Sequence, residues 1–138
     1  MKNTSNETLL VARRALSLLA AAHLSGDFEP YLEMLTEDYT FYMPLGEFRG
    51  KNVGVEKAAA CYRQIAAANP QIEYGEPFRA TSAGNTVVFE FEDSGTIAGQ
   101  PYYNRVAASF DVRGEQICGY REYFGFLDLE SLEKMAKG

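Results

Sequence analysis

The chain has 138 residues, of which 46% are hydrophobic and 23% charged, and it carries a net charge of -6. That balance suits one globular domain with a real core, and an acidic chain without a basic stripe excludes a nucleic-acid surface. No apolar run approaches the roughly 20 residues of a membrane helix, so no membrane partner is expected. The opening MKNTSNETLL lacks the apolar core of a secretion signal, and Cys61 and Cys118 show no CxxC spacing. A reduced, cytoplasmic setting follows as an expectation. One histidine, His23, and two scattered cysteines cannot supply a typical zinc site. With no GxGxxG, GxxxxGKS or GxSxG run either, neither metal nor cofactor is expected.

Thr4-Ser5-Asn6-Glu7 has the form of a capping box. Beyond it Leu9, Leu10, Ala12, Leu16, Leu19, Ala20 and His23 recur at helical spacing, which predicts a helix ending at Ser25-Gly26. His23 reads there as a packing residue. Asp27 is placed to cap a second, shorter helix running to about Leu35, with Pro30 in its first turn. Tyr39 to Met43 reads as a strand ended by Pro44, with Leu45 to Gly50 as a loop. Either Tyr39, Phe41 and Met43 or Thr40 and Tyr42 face inward. Asn52 is a candidate cap for a third helix, which Asn69-Pro70 terminates.

From Gln71 the pattern turns strand-like. Ile72 to Thr81 is irregular, Gly84-Asn85 marks a turn, and Thr86 to Glu92 alternates, with Val87, Phe89 and Phe91 on its apolar face. Gly95 to Phe126 then reads as two long strands joined near Arg113-Gly114-Glu115. A three-residue loop with a bulge would pair Val112 with Gln116, Ala108 with Tyr120, Val106 with Glu122 and Asn104 with Phe124. Tyr102, Asn104, Val106, Ala108, Phe110, Tyr120, Glu122 and Phe124 then share the apolar face. Tyr103, Arg105, Ser109, Asp111 and Arg121 fall on the other. A tighter two-residue turn would instead set Glu122 opposite Arg105 outside. On the inner face Asn104 and Glu122 are the two polar exceptions, and a carboxyl against an apolar wall has its pKa raised toward the range useful for proton transfer. A short helix from Asp128 to Lys137 closes the chain.

The runs G-x-P-Y-Y-N-R (Gly99 to Arg105), F-D-V-R-G (Phe110 to Gly114) and I-C-G-Y-R-E-Y-F (Ile117 to Phe124) carry a resemblance. So do G-D-F at Gly26 to Phe28 and T-E-D-Y-T-F-Y-M-P at Thr36 to Pro44. Together they resemble the SnoaL-like branch, akin to polyketide cyclases and ketosteroid isomerases, of the nuclear transport factor 2-like superfamily. The resemblance implies an α+β, cystatin-like cone spanning residues 1–138 as one domain. In it three N-terminal helices pack on a strongly curved, mixed but mainly antiparallel sheet, and a short helix follows.

It also implies a pocket lined from alternate residues of the last two strands, which selects the bulged hairpin. By similarity the base of steroid isomerisation would fall at Met43 and its oxyanion donors near Leu19 and Val106; all three are apolar here. Glu122 matches the last acid of the epoxide-hydrolase branch, but the strand from Phe89 to Glu92 lacks the arginine of that arrangement. The implied activity is cofactor-free acid–base chemistry on a small hydrophobic cyclic molecule. Glu122 would move the proton, with Asn104 and Tyr120 beside it. Tyr42, Met43, Tyr102, Val106, Phe110, Phe124 and Leu19 would line the substrate. Two other readings of the same fold are a non-catalytic ligand-binding module and a packed dimerisation domain. A homodimer through the open sheet face, using Tyr103, Tyr123 and Ile117, is expected in any case.

Overall fold

The structure, a computed structural model, describes residues 3–126. Its elements in order are α1 (Asn6–Ser25), α2 (Glu29–Leu32), β1 (Leu35–Met43), β2 (Gly50–Val53), α3 (Val55–Ala67), β3 (Gln71–Tyr74), β4 (Arg79–Ala83), β5 (Thr86–Ile97), β6 (Gln100–Arg113) and β7 (Gln116–Phe124). The fold is α+β, as expected: three helices cover a curved, open, seven-stranded sheet in the order β2-β1-β7-β6-β5-β3, with β4 also on β5. β1 runs parallel to β7 and every other pair is antiparallel. The segment expected to form the last helix lies outside the described residues.

α1 begins one residue later than the capping-box reading: Ser5 is the cap, and its Oγ accepts from the Thr8 N–H. It stops where expected, at Gly26, which takes the left-handed φ of 81° and donates to Ala22 O. Ala12, Ala15, Leu16, Leu19 and Ala22 bury one stripe of the helix against the sheet. α2 is a single turn ending at Leu32, not at Leu35. Asp27 still satisfies its entry, since Oδ1 accepts from the Glu29 N–H.

Two expectations fail between Pro44 and α3. Gly50–Val53 is a strand, antiparallel to β1, and Asn52 sits inside it and not at a helix start. The buried Asn52 amide donates to Phe48 O at 2.7 Å and Gly50 O at 3.2 Å, which ties down the loop after Met43. A four-residue strand, Gly-Lys-Asn-Val, is too short to show an alternation that can be read.

The β6–β7 hairpin has the expected inner face by a different route. Its turn is the tight one, with Gly114 (φ 63°) and Glu115 between the paired Arg113 and Gln116. The extra residue comes later: Asp111 pairs Gly119 and Val112 pairs Ile117, so Cys118 is a bulge. Beyond it the register is Phe110↔Tyr120, Ala108↔Glu122 and Val106↔Phe124, two residues away from the expected pairing. Tyr120, Glu122 and Phe124 face inward nonetheless. Ile117, on the near side of the bulge, also points inward and is fully buried, which removes it from the outer face.

Three tyrosines from α2, β1 and α3 meet in the core. The Tyr39 hydroxyl lies 2.9 Å from that of Tyr31 and 3.2 Å from that of Tyr62, and all three rings are buried. Mutual hydrogen bonding satisfies hydroxyls that burial would otherwise leave costly.

A candidate active site at the open end of the cone

A cavity of about 260 Å³ opens between the helices and the sheet. Its walls are mostly apolar: Met43 to Phe48 from β1 and the loop after it, Cys61, Gln64 and Ile65 from α3, Ile72 and Tyr74 from β3, and Phe124 from β7. The rim loop is held from two sides, by Asn52 and by Gln64 Nε2 donating to Glu47 Oε2 at 2.9 Å. Two carboxyl groups, Glu122 and Asp93, stand in its wall and a third, Glu47, on the rim loop, and neither lysine nor arginine lines it among the described residues.

Glu122 is enclosed by protein except on its cavity side. Desolvation pushes its carboxyl up to about 7, the charge of Asp93 adds to the rise, and the Tyr120 hydroxyl donating to Oε1 at 3.1 Å opposes it. The two side chains are neighbours on one face of β7 because residues i and i+2 of a strand point the same way. A carboxyl near 7 is present in both protonation states at neutrality, which fits it to accept and return a proton.

Asp93 is the residue that sequence reasoning missed. It is only 6% exposed, and burial raises its carboxyl to about 6 against the hydrogen bond from Tyr102. That bond is long, Tyr102 Oη to Oδ2 at 3.5 Å, while Oδ1 has no partner. The signal was present: Val87, Phe89 and Phe91 continue by alternation to residue 93. Asp93-Ser94-Gly95 looks like a turn, yet β5 runs on to Ile97.

Of the residues expected in the site, Glu122, Met43, Tyr102 and Phe124 line the cavity. Tyr120 does not reach it and acts on it only through Glu122. Leu19, Val106 and Phe110 lie deeper, in the packed end of the cone; Phe110 spends its faces on Phe89 and Tyr120. Tyr42 is 39% exposed on the other side of β1, since Tyr39, Phe41 and Met43 take the inner face. Asn104 is on the inner face but its amide is engaged. Oδ1 accepts from the Phe126 N–H at 3.0 Å and the Arg105 N–H at 2.9 Å, and Nδ2 donates to Phe126 O at 3.3 Å. It fastens the end of β7 instead of facing the cavity.

His23, expected as a packing residue, is both packing and wall. Its ring sits edge-on to Phe28, Nδ1 is 2.9 Å from Leu19 O and 3.2 Å from the Tyr74 hydroxyl, and burial lowers its pKa, keeping it neutral. Cys61 is no nucleophile, because desolvation pushes its thiol up to about 12.

The sequence profile of the SnoaL-like domain matches residues 14–120, which contain most of this cone. The chain belongs to the SnoaL-like family. Among solved structures, an NTF2-like protein from Anabaena variabilis is 45% identical over 92% of this chain and 96% of its own, with a TM-score of 0.84. An LEH-like epoxide hydrolase from M. tuberculosis shares the SnoaL-like fold at 22% identity, 91% and 88% coverage and a TM-score of 0.65. So does a ketosteroid isomerase-like fold from Catenulispora acidiphila, solved with trimethylamine, at 21% identity, 79% and 83% coverage and a TM-score of 0.65. A comparison with curated proteins gives no match.

Proposed function

We propose that this SnoaL-like protein is a cofactor-independent acid–base catalyst, of the isomerase, cyclase or hydrolase class, acting on a small hydrophobic cyclic molecule. The observation that carries the reading is the convergence of Glu122 and Asp93 on an apolar cavity that no lysine or arginine of the described residues lines. Carboxyls so placed are functional-site candidates because their protonation is poised near neutrality. Glu122, with the higher value, trades the proton, and Tyr120 is a positioning residue that holds its carboxyl. Asp93 stays largely ionised at neutral pH and orients what is bound. The fold hosts several chemistries, so the reading rests on this site and not on the neighbours.

The test is a carboxyl-carbon NMR titration of the parent and of Tyr120→Phe. Glu122 should titrate near 7 in the parent and higher in the variant, because the lost hydrogen bond favoured the ionised form. A Glu122 value in the ordinary carboxylate range would end the acid–base reading.

The outer sheet face suits a second copy of the chain. Tyr103 and Tyr123 are 53% and 56% exposed there, with Tyr103 against the Phe126 ring and Arg105 over the Phe78 ring. Sedimentation velocity at micromolar concentration should return the dimer mass; a monomer mass would set this contact aside.

A further inference from the structure

We propose that Asp93 and Tyr102 form an ammonium subsite, so that the molecule held beside Glu122 is a small hydrophobic amine in its protonated form. The inference deepens the acid–base reading and rests on it, since both use one cavity.

The argument starts from what Asp93 lacks. A buried carboxylate is ordinarily matched by a cation or by several N–H donors, and leaving it unmatched is costly. Here one oxygen has a single long contact with the Tyr102 hydroxyl and the other has none. No lysine or arginine of the described residues lines the cavity, so these residues supply no countercharge. Glu122 adds further negative charge across the same space. An anionic ligand is therefore repelled twice. A neutral alcohol can donate one hydrogen bond but leaves the charge uncompensated.

An ammonium group meets both needs, because its N–H bonds to a carboxylate are charge-assisted. The walls fit the rest of such a molecule. Tyr74, Tyr102 and Phe124 present aromatic rings, which attract a cation over their faces, and the remaining lining packs hydrocarbon. Tyr102 is itself held edge-on to Phe124, ring centroids 6.4 Å apart, which fixes the hydroxyl beside Asp93.

The other titratable groups around the cavity are His23 from α1, Cys61 from α3, Tyr74 from β3, Tyr102 from β6, Glu122 from β7 and Glu47 at the rim. The tyrosines and the thiol are pushed above their ordinary values and stay neutral, and His23 is pushed down and stays neutral. The two groups raised toward pH 6–7 are the carboxyls of Asp93 and Glu122.

The experiment is calorimetric titration of the full chain with three ring-matched probes: cyclohexylammonium, cyclohexanol and cyclohexanecarboxylate. Above neutral pH the ammonium should bind about tenfold or more tighter than the alcohol, the worth of a hydrogen bond to a charged group, and the carboxylate should not bind. Ammonium affinity should fall as the pH drops through 6, and its binding should lower the titration of both carboxyls in the NMR spectrum. Asp93→Asn, of nearly the same shape, should abolish the preference for ammonium while cyclohexanol binding is retained. Equal affinity for ammonium and alcohol, binding of the carboxylate, or no binding of any probe overturns the proposal. If Glu122 still titrates near 7 in that case, the acid–base reading survives its failure.

Discussion

Glu122→Gln should make the protein more stable above neutral pH and catalytically silent. The folded state keeps a proton on Glu122 up to about 7, whereas the unfolded chain keeps it only to about 4.5. Between those values the folded state binds more protons, so raising the pH weakens folding, and the cost is complete above about 7. Glutamine has no charge to desolvate and can still accept from the Tyr120 hydroxyl. The variant should therefore gain roughly 1–3 kcal/mol at pH 8, an advantage that shrinks through the window and vanishes near pH 4.5. Asp93, raised in the same sense, and His23, lowered and so opposite in effect, are present in both proteins and largely cancel in the comparison. Urea unfolding at a series of pH values measures it. A stability difference that did not vary with pH would mean that Glu122 is solvated in solution. With any substrate that the parent turns over, loss of a group that transfers a proton should cost about a hundredfold or more in kcat.

The largest purely structural effect should come from Gly95. Its φ of 148° is one that L side chains rarely adopt, and a Cβ there would overlap the carbonyl oxygen of Gln71. Gly95 pairs with Ile72 across the β3–β5 ladder, and β3 is only four residues long, so displacing the backbone there disturbs most of its pairing. Gly95→Ala should cost roughly 3 kcal/mol and lower the melting temperature by about 10 °C. The cavity would suffer with it, because Ile72 and Tyr74 are its β3 wall. Gly99→Ala is the control: φ is 79°, but open space surrounds the added carbon, and the loss should stay near 1 kcal/mol. Equal losses at the two positions would show that backbone preference, and not the contact with Gln71, dominates.

What the sequence made legible was periodic. The stop of α1 at Gly26 and the inward residues of β6 agree with the structure. So do Ala12, Leu16 and Leu19 of the helical stripe, whereas Leu9 and Leu10 lie exposed in the first turns and Ala15 and Ala22 take the buried places. β2 was not legible, because its four residues are too few to show alternation and Asn52 within it reads locally as a helix cap. Glu122 was found as an inward carboxyl, but its neighbours were misjudged by two positions, since the turn is shorter than assumed and the extra residue sits at Cys118. Asn104 stands out in sequence as a polar letter on an apolar face. Only the true register shows that it stands beside Phe126, just past the end of β7, whose backbone consumes its amide. Asp93 was hidden by its company, an Asp-Ser-Gly run that local rules score as a turn while the pairing of Ser94 with Tyr103 and Gly95 with Tyr102 keeps it in the sheet.

The bulge at Cys118 also makes the chemistry of the cone a question of parity. Whether the side chain at 122 faces the cavity or the solvent is decided by an odd or even number of residues between the turn and that position. Nothing about the glutamate itself decides it. Paired straight from the tight turn with no bulge, the same residues would set Glu122 opposite Ala107, delivering Arg121 and Tyr123 to the interior and the acid to the outside. Loss of Cys118 itself would leave the acid where it is. A longer turn with no bulge could restore the same side by another count. An inward acid is therefore compatible with a tight turn and a bulge, or with a longer turn and none.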